Sequence, residues 1–177
     1  MHAGASAVAF VAMRAAVSFF VAWCALVACG GDTPPARQPS QLKAMDEPRA
    51  QQVIAQTFQA QGVDPEAGRT FSIVASGSTP FVVAATGHKY GVVWITPDRA
   101  RDLAAVLPKH ENDEGPLVVL NGMGADADVH ALALWDRDYM TDDLAGASHS
   151  STEIAAEAKL QRDVRDFLDK AKNEQWP

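Results

Sequence analysis

The chain has 177 residues, of which 47% are hydrophobic and 7% aromatic, and its formal net charge is −7 at pH 7. This acidic balance argues against nucleic acid as a partner, because nucleic-acid binding needs clustered Lys and Arg. It also argues against binding to anionic lipid through a cluster of basic residues. The length is enough for one domain with a sizeable core.

The first predicted element is an apolar run, residues 15–28, without any charge, Gly or Pro. A run of about 14 residues is too short for a comfortable membrane span, which needs roughly 20. With Arg14 before it and small residues at its end, it fits a signal peptide. We expect translation to begin at Met13, which the mass of the unprocessed precursor would test. The alternative is an uncleaved helix over residues 3–28, which would place Arg14 near the bilayer centre at a cost of a few kcal/mol.

The run ends in Leu26-Val27-Ala28-Cys29. This sequence resembles the lipobox of bacterial lipoproteins, in which an apolar residue, a tolerated residue and a small residue precede an essential cysteine. The resemblance implies that residues 1–28 are a lipoprotein signal peptide. It also implies that Cys29 becomes the first mature residue and carries two or three acyl chains, such as palmitate, which anchor the protein in the cell envelope.

The residue after the cysteine bears on which membrane holds the anchor. Gly30 stands there, and not the aspartate that signals inner-membrane retention in enteric-type bacteria. By the same resemblance we expect the outer membrane, facing the periplasm, where a cell has both membranes.

The chain has two cysteines, Cys24 and Cys29. Cys24 would leave with the signal peptide, and lipid would block Cys29. The mature body would then hold no free thiol and no disulfide, so its stability must come from a hydrophobic core. Cysteine is thereby excluded as a nucleophile or metal ligand.

A linker is predicted between the anchor and the folded body. Residues 29–45 are expected to be the lipidated N-terminus and a flexible linker. Residues 30–41 contain three prolines and two glycines, which cannot sustain a helix or a central strand. Residues 46–177 are predicted to form one globular domain.

Residues 46–61 are predicted to form a helix, because Asp46 can cap it, Pro48 suits its first turn and Gly62 suits its end. Positions at helical spacing predict its core-facing stripe: Val53, Ile54, Thr57, Phe58 and Gln61.

Three short strands are predicted next, over residues 70–76, 81–86 and 90–96, with turns at 77–79 and 87–89. Loops this short join antiparallel neighbours, so the three strands are expected to form a meander.

A second helix is predicted to begin with Thr96 as its cap and Pro97 in its first turn, and to end at Pro108. The elements predicted beyond it are a charged loop, a strand buried on both faces, a glycine-containing loop and a last strand: residues 109–115, 117–120, 121–127 and 128–136.

The C-terminal helix is the clearest predicted element. Ser150 and Glu153 have the spacing of a capping box. Its predicted core stripe is Ile154, Ala158, Gln161, Val164, Leu168 and Ala171, broadened by Leu160 and Phe167.

These elements predict an α+β fold in a single domain. A mostly antiparallel sheet of about five strands is expected with about three helices, in the order α-βββ-α-ββ-α. Because two of the strands are apolar on both sides, we expect cover on both faces of the sheet.

One candidate metal site stands out. Asp126, Asp128 and His130 alternate, so a strand would point all three side chains to one side, where they could bind zinc or another divalent metal. The alternative is that the two carboxylates form the solvated end of a strand whose Leu132 and Leu134 continue inward. We assign no metal ligand and no cofactor, because this triplet matches no established metal motif.

Other candidate chemistry is weaker. The loop Asn121-Gly122-Met123-Gly124 follows a buried strand but has the spacing of neither common phosphate-binding glycine motif. The remaining candidates are dispersed. A Ser–His–Asp triad could draw on Ser78 or Ser148 and on His88, His110 or His149, but no catalytic residue is assigned, because triads are recognised by geometry.

Acidic pairs could act as glycosidase carboxylates, although solvated loop charges are the simpler interpretation. The pairs are Glu111/Glu114, Asp136/Asp138 and Asp142/Asp143. Trp94 and Trp135 are expected in the core. Trp176 is expected to pack back onto the domain, the alternative being an anchor for a partner.

The sequence therefore predicts an envelope lipoprotein, more in keeping with a binding protein than an enzyme. It would be held in the membrane through lipid on Cys29, and its small acidic domain would bind or position another envelope protein. The alternatives are a lipid-anchored hydrolase or metal-dependent enzyme of the envelope, and a carrier of a small apolar ligand.

Overall fold

The computed structural model describes residues 42–74, 77–110, 115–142 and 147–177, without the side chains of Val74 and of residues 147–151. The predicted signal peptide and Cys29 lie outside these residues. Within them, no helix is long and apolar enough to cross a membrane.

The three predicted helices are present, with different lengths. They are Glu47–Ala60 (α1), Pro97–Asp102 (α2) and Ala147–Asn173 (α3). Asp46 caps α1 and Thr96 caps α2, each accepting a hydrogen bond from the backbone N–H three residues on. Both predicted caps are confirmed, and both helices carry the expected proline in their first turn.

Nine strands lie in the described residues. Their bounds are Leu42–Ala44 (β1), Pro65–Glu66 (β2), Thr70–Val74 (β3), Gly77–Pro80 (β4), Val83–Ala85 (β5), Tyr90–Ile95 (β6), Val118–Asn121 (β7), His130–Trp135 (β8) and Met140–Asp142 (β9).

The central sheet has five strands in the order β2-β5-β6-β8-β7. Strands β6 and β8 are parallel and the other neighbours are antiparallel. The fold is therefore α+β with a mostly antiparallel five-stranded sheet, as the sequence predicts. Two small sheets, β1-β9 and β3-β4, complete the domain.

Both faces of the central sheet are covered. On one face, α1 and α3 bury apolar side chains that include Phe58, Leu160 and Phe167 against Trp94 of β6. The opposite face carries a second apolar cluster, in which Phe71 of β3 and Phe81 stack with ring centroids 4.4 Å apart. This two-sided burial explains why β6 and β8 are apolar at nearly every position.

The predicted meander is wrong in one respect. Residues 77–79 were expected to be a turn, but they belong to β4, which pairs with β3 in a separate hairpin. The sheet position beside β5 is taken by β2, whose two residues carry no strand signal. Burial of Thr79 and the Phe71–Phe81 stack stabilise the hairpin arrangement over the local turn preference of Gly and Ser.

The start of the domain lies before residue 46. Leu42–Ala44 forms β1, which pairs with β9, and Met45 is buried, so the end of the predicted linker belongs to the folded domain. Such a contact across about 100 residues leaves no local signature in the sequence.

The bounds of the other two helices also differ from the prediction. Helix α2 ends at Asp102 and gives way to turns well before Pro108. Helix α3 begins at Ala147, so Ser150 lies inside the helix and is not its N-cap.

Candidate functional site: the His110–Tyr139 cleft

A shallow cleft lies where β7 and β8 meet α3. It encloses about 370 Å³, including space open to solvent. Six of the residues that line it have aromatic or charged side chains: His110, Trp135, Asp138, Tyr139, Lys159 and Asp163. We refer to it as the His110–Tyr139 cleft.

His110 is fixed on three sides. Its ring stacks on Trp135, with centroids 4.1 Å apart and planes 2° from parallel. Its Nε2 lies 2.8 Å from Oδ2 of Asp138, and its backbone oxygen accepts a hydrogen bond of 2.8 Å from Arg137. Because a carboxylate oxygen accepts, Nε2 carries the hydrogen in this pair. An imidazole oriented in this way can transfer protons.

Tyr139 forms the second half of the cleft. Its hydroxyl donates to Oδ2 of Asp163 over 2.8 Å, and Lys159 Nζ lies 3.2 Å from the same oxygen. Lys159 Nζ also sits 4.4 Å from the centroid of the Tyr139 ring. Burial, followed by the nearby charge of Asp163, raises the pKa of Tyr139 well above its usual range. The phenol therefore stays protonated and acts as a donor.

The polar side chains of the cleft thus neutralise one another. Asp138 accepts from His110, and Asp163 accepts from both Tyr139 and Lys159. Among the described residues, the single buried side-chain polar atom without a partner is Nε1 of Trp94, which lies in the core. This internal pairing stabilises the shape of the cleft.

The three residues of the candidate metal site each bond to a different partner. Asp126 lies in the 3₁₀ turn Gly124–Asp126 and accepts a 2.8 Å hydrogen bond from Ser72 N. Asp128 pairs with Lys89, and His130 Nδ1 lies 2.9 Å from Oδ1 of Asn121. The strand starts at His130, so the alternation that the prediction needed does not extend to the aspartates.

No alternative metal centre replaces it in the part of the chain that the structure describes, where no three His, Cys, Asp or Glu side chains gather to hold an ion.

The glycine-containing loop has a structural role. A Cβ at Gly122 would lie 2.0 Å from the backbone oxygen of Asp126, and Gly124 has a positive φ of 62°. Met123 N donates to Ser72 O over 2.8 Å, so the loop ties β3 to the end of β7. These contacts explain both glycines without a bound phosphate.

Of the predicted triad members, the structure joins His110 to Asp138. Ser78 lies on β4, and the side chains of Ser148 and His149 are outside the described residues, as are Glu111, Glu114 and Asp143. Burial raises the pKa of Asp136.

The three tryptophans of the body behave as expected. Trp94 and Trp135 are buried, and Trp176 packs back onto the domain with its ring 4.1 Å from that of His130. Trp176 also contacts Tyr90 and Phe167. The prediction that this residue packs is confirmed.

Sequence reasoning missed the pairing of Tyr139 with Asp163 and Lys159. The Lys159–Asp163 spacing of i, i+4 on a predicted helix was the available signal, whereas the contact to Tyr139 arises only when β9 docks on α3.

Comparison with protein-family models, curated proteins and solved structures found no match to this chain.

Proposed function

We propose that the protein is a lipid-anchored lipoprotein of the bacterial cell envelope whose acidic domain binds another envelope component. The observation that carries the proposal is the apolar run 15–28 ending in Leu26-Val27-Ala28-Cys29. An acylated Cys29 would hold the protein at the outer membrane, facing the periplasm where the cell has both membranes.

The position of the first strand supports a tethered domain. β1 begins at Leu42, so twelve residues, 30–41, separate it from Cys29. A chain of this length spans at most roughly 40 Å. The folded domain would therefore stay close to the membrane surface while its faces remain accessible to another envelope protein.

The pairing of polar groups in the His110–Tyr139 cleft supports binding over catalysis. Asp163 is engaged by two donors, and Tyr139 is held protonated. A rigid, shallow surface with satisfied polar groups suits recognition of a protein partner.

Lipidation is tested by expressing the full chain in a bacterium with two membranes and labelling it with radioactive palmitate. We expect label on the wild type and recovery in the outer-membrane fraction of a density gradient. The Cys29→Ser variant should carry no label, whereas the matched Cys24→Ser variant should behave as wild type. An unlabelled wild type, or label that persists in Cys29→Ser, would contradict the proposal.

Partner binding is tested in the same cells. Chemical crosslinking of the wild type, followed by purification, should recover one envelope protein. A substitution in the cleft should abolish recovery of that protein. Lys159→Glu places a second negative charge beside Asp163 and is the informative variant. The Arg165→Glu variant, on an exposed part of α3, is its control. Equal recovery from both variants would exclude this cleft as the binding surface.

A second candidate function is an envelope hydrolase, favoured by one observation, the His110–Asp138 pair. His110 could act as a general base toward water, with Asp138 orienting the ring. Turnover of soluble ester and glycan substrates by the wild type, lost in His110→Ala, would support this function. The absence of turnover by the wild type would remove it.

A further inference from the structure

The five-stranded sheet ends on one side in β7. Gly122 N donates to Val129 O over 2.8 Å, one step beyond the paired residues Asn121 and His130. Hydrogen-bonded pairs alternate along an antiparallel ladder. The pairs Leu120/Ala131 and Val118/Ala133 therefore exchange hydrogen bonds with β8.

The intervening residues of β7 face the other way. The backbone N–H and C=O of Val119 and Asn121 point away from β8. Leu117 precedes the strand by one residue and would have the same orientation if β7 were extended by one residue to pair with another strand. Within the described residues, no backbone hydrogen bond reaches these outward groups. A row of unpaired donors and acceptors of this kind is a template for another strand.

The two edges of the sheet differ sharply. The opposite edge, β2, has two residues, a proline without an N–H and the charged Glu66. Short length, proline and charge are the usual protections against edge-to-edge pairing. β7 has four residues and lies within residues 115–125, which contain no charge.

Apolar side chains accompany this unprotected edge. Leu117 and Val119 are half-buried and pack against the core on the α1/α3 face, and Val118 packs against the opposite face. Met123, just after the strand, is 47% exposed. An added strand would therefore gain apolar contacts on both faces as well as backbone hydrogen bonds.

We propose that β7 pairs antiparallel with β7 of a second copy of this chain, which joins the two sheets into one of ten strands. Centred on Val119, the pairing places Leu117 opposite Asn121 of the partner subunit, so that the outward groups of these three positions meet those of the other copy. The edge ends at Met123, whose N–H donates to Ser72 O of β3. The edge is uncharged, so a two-fold arrangement opposes no like charges along the seam. Such isologous contacts are the commonest basis of homodimers.

This dimer goes beyond the proposed envelope function and does not depend on lipidation of Cys29. The experiment uses the full chain purified from membranes in detergent, with Cys24→Ser as the parent. Sedimentation analysis should give the mass of two chains. Asn121→Lys, at an exposed position on the edge, should weaken dimerisation at least tenfold without altering the circular dichroism spectrum.

Crosslinking then locates the seam. Val119→Cys should form a disulfide-linked dimer on mild oxidation, because the two Val119 residues face each other in the proposed pairing. Glu66→Cys, on the protected edge, should remain monomeric on a non-reducing gel. Crosslinking of the parent itself would report a free Cys29, and thus failure of the lipid anchor, separately from the dimer.

A monomeric wild type, a dimer that Asn121→Lys leaves intact, or crosslinking through Glu66→Cys in place of Val119→Cys would overturn the proposal. So would a different protein found on this edge of a monomeric chain.

Discussion

At the scale of single residues, the packing of His130 makes the stability of the domain depend on pH. It lies at the start of β8, stacked on Trp176 and bonded to Asn121. Burial lowers its pKa below the ordinary 6.5, although the carboxylates of Glu174 and Asp128 act in the opposite direction. The folded domain therefore holds His130 neutral more readily than the unfolded chain does.

As the pH falls through 6.5, the unfolded chain binds a proton that the folded chain does not, so the free energy of unfolding decreases until the pH is below the folded pKa. We expect His130→Gln to reduce this loss of stability between about pH 7.5 and pH 5.5. Urea denaturation at the two pH values measures it. A slope in His130→Gln equal to that of the wild type would contradict this prediction.

Gly91 is a residue whose small size allows two strands to meet. A Cβ there would lie 2.6 Å from Cδ1 of Phe81 and 2.7 Å from the backbone oxygen of Val83. Gly91→Ala should destabilise the domain by about 1–3 kcal/mol, the usual cost of overpacking a core. Thermal unfolding followed by circular dichroism measures the loss.

Gly62→Asn is the matched control for this prediction. Gly62 has a positive φ of 74° and nothing within 4 Å of an added Cβ. Asn tolerates this backbone conformation, so the loss should be clearly smaller than in Gly91→Ala. Equal losses would contradict the assigned close approach of β5 and β6.

At the scale of elements, a carboxylate helps to hold the β3–β4 hairpin against the loop that follows β7. Asp126 accepts from Ser72 N, and the neighbouring Met123 N donates to Ser72 O. Asp126→Ala should therefore raise amide hydrogen exchange across β3 and β4 and cost about 1.5–3 kcal/mol, as expected for a hydrogen bond to a charged group. Exchange followed by mass spectrometry measures the local effect. Asp128→Ala, which removes an exposed ion pair with Lys89, should leave exchange in the hairpin unchanged.

Two apolar residues of α3 differ in burial and should therefore differ in how much they contribute to the free energy of unfolding. Leu160 is fully buried between α1 and the sheet, whereas Ile154 is 65% exposed although the periodicity placed both toward the core. Leu160→Ala should cost about 2–5 kcal/mol, as for other core truncations. Ile154→Ala should change the unfolding free energy by about 0.5 kcal/mol or less. Chemical denaturation measures both, and similar losses would contradict the packing of α3.

The difference between these two residues has a structural reason. The buried positions of α3 are Ala156, Leu160, Val164, Phe167, Leu168 and Ala171. The prediction agrees with them at Leu160, Val164, Phe167, Leu168 and Ala171, where α3 packs on α1 and the sheet, whereas the predicted Gln161 is exposed. Its N-terminal part lies against β9 instead, so the same periodicity meets a different surface and leaves Ile154 and Ala158 exposed.

At the scale of the whole molecule, the first and last described residues bond to segments that are distant in sequence. β1 pairs with β9, and Pro177 O accepts a 2.6 Å hydrogen bond from Lys89 N, next to the packed ring of Trp176. Both chain ends of the described domain are therefore held by segments distant in sequence. Such contacts make a small domain without disulfides cooperative.

What the sequence determined by itself is local. The caps at Asp46 and Thr96, the strands at β5, β6, β7 and β8, and the helical periodicity of α1 and α3 are all predicted from short-range patterns, and together they predict the α+β class. The lipobox resemblance at Cys29 is equally local, and it alone supports the proposed location in the cell envelope.

The tertiary structure decided what depends on packing between distant segments. It placed residues 77–79 in a hairpin, where a turn was predicted, and paired Asp126 with Ser72, His110 with Asp138 and Tyr139 with Asp163. Among the described residues, it also placed β7 at one edge of the sheet and the short, proline-containing β2 at the opposite edge. Each of these outcomes depends on apolar burial and hydrogen bonds between residues that are far apart in the sequence. A short stretch of sequence does not contain both partners of such a contact.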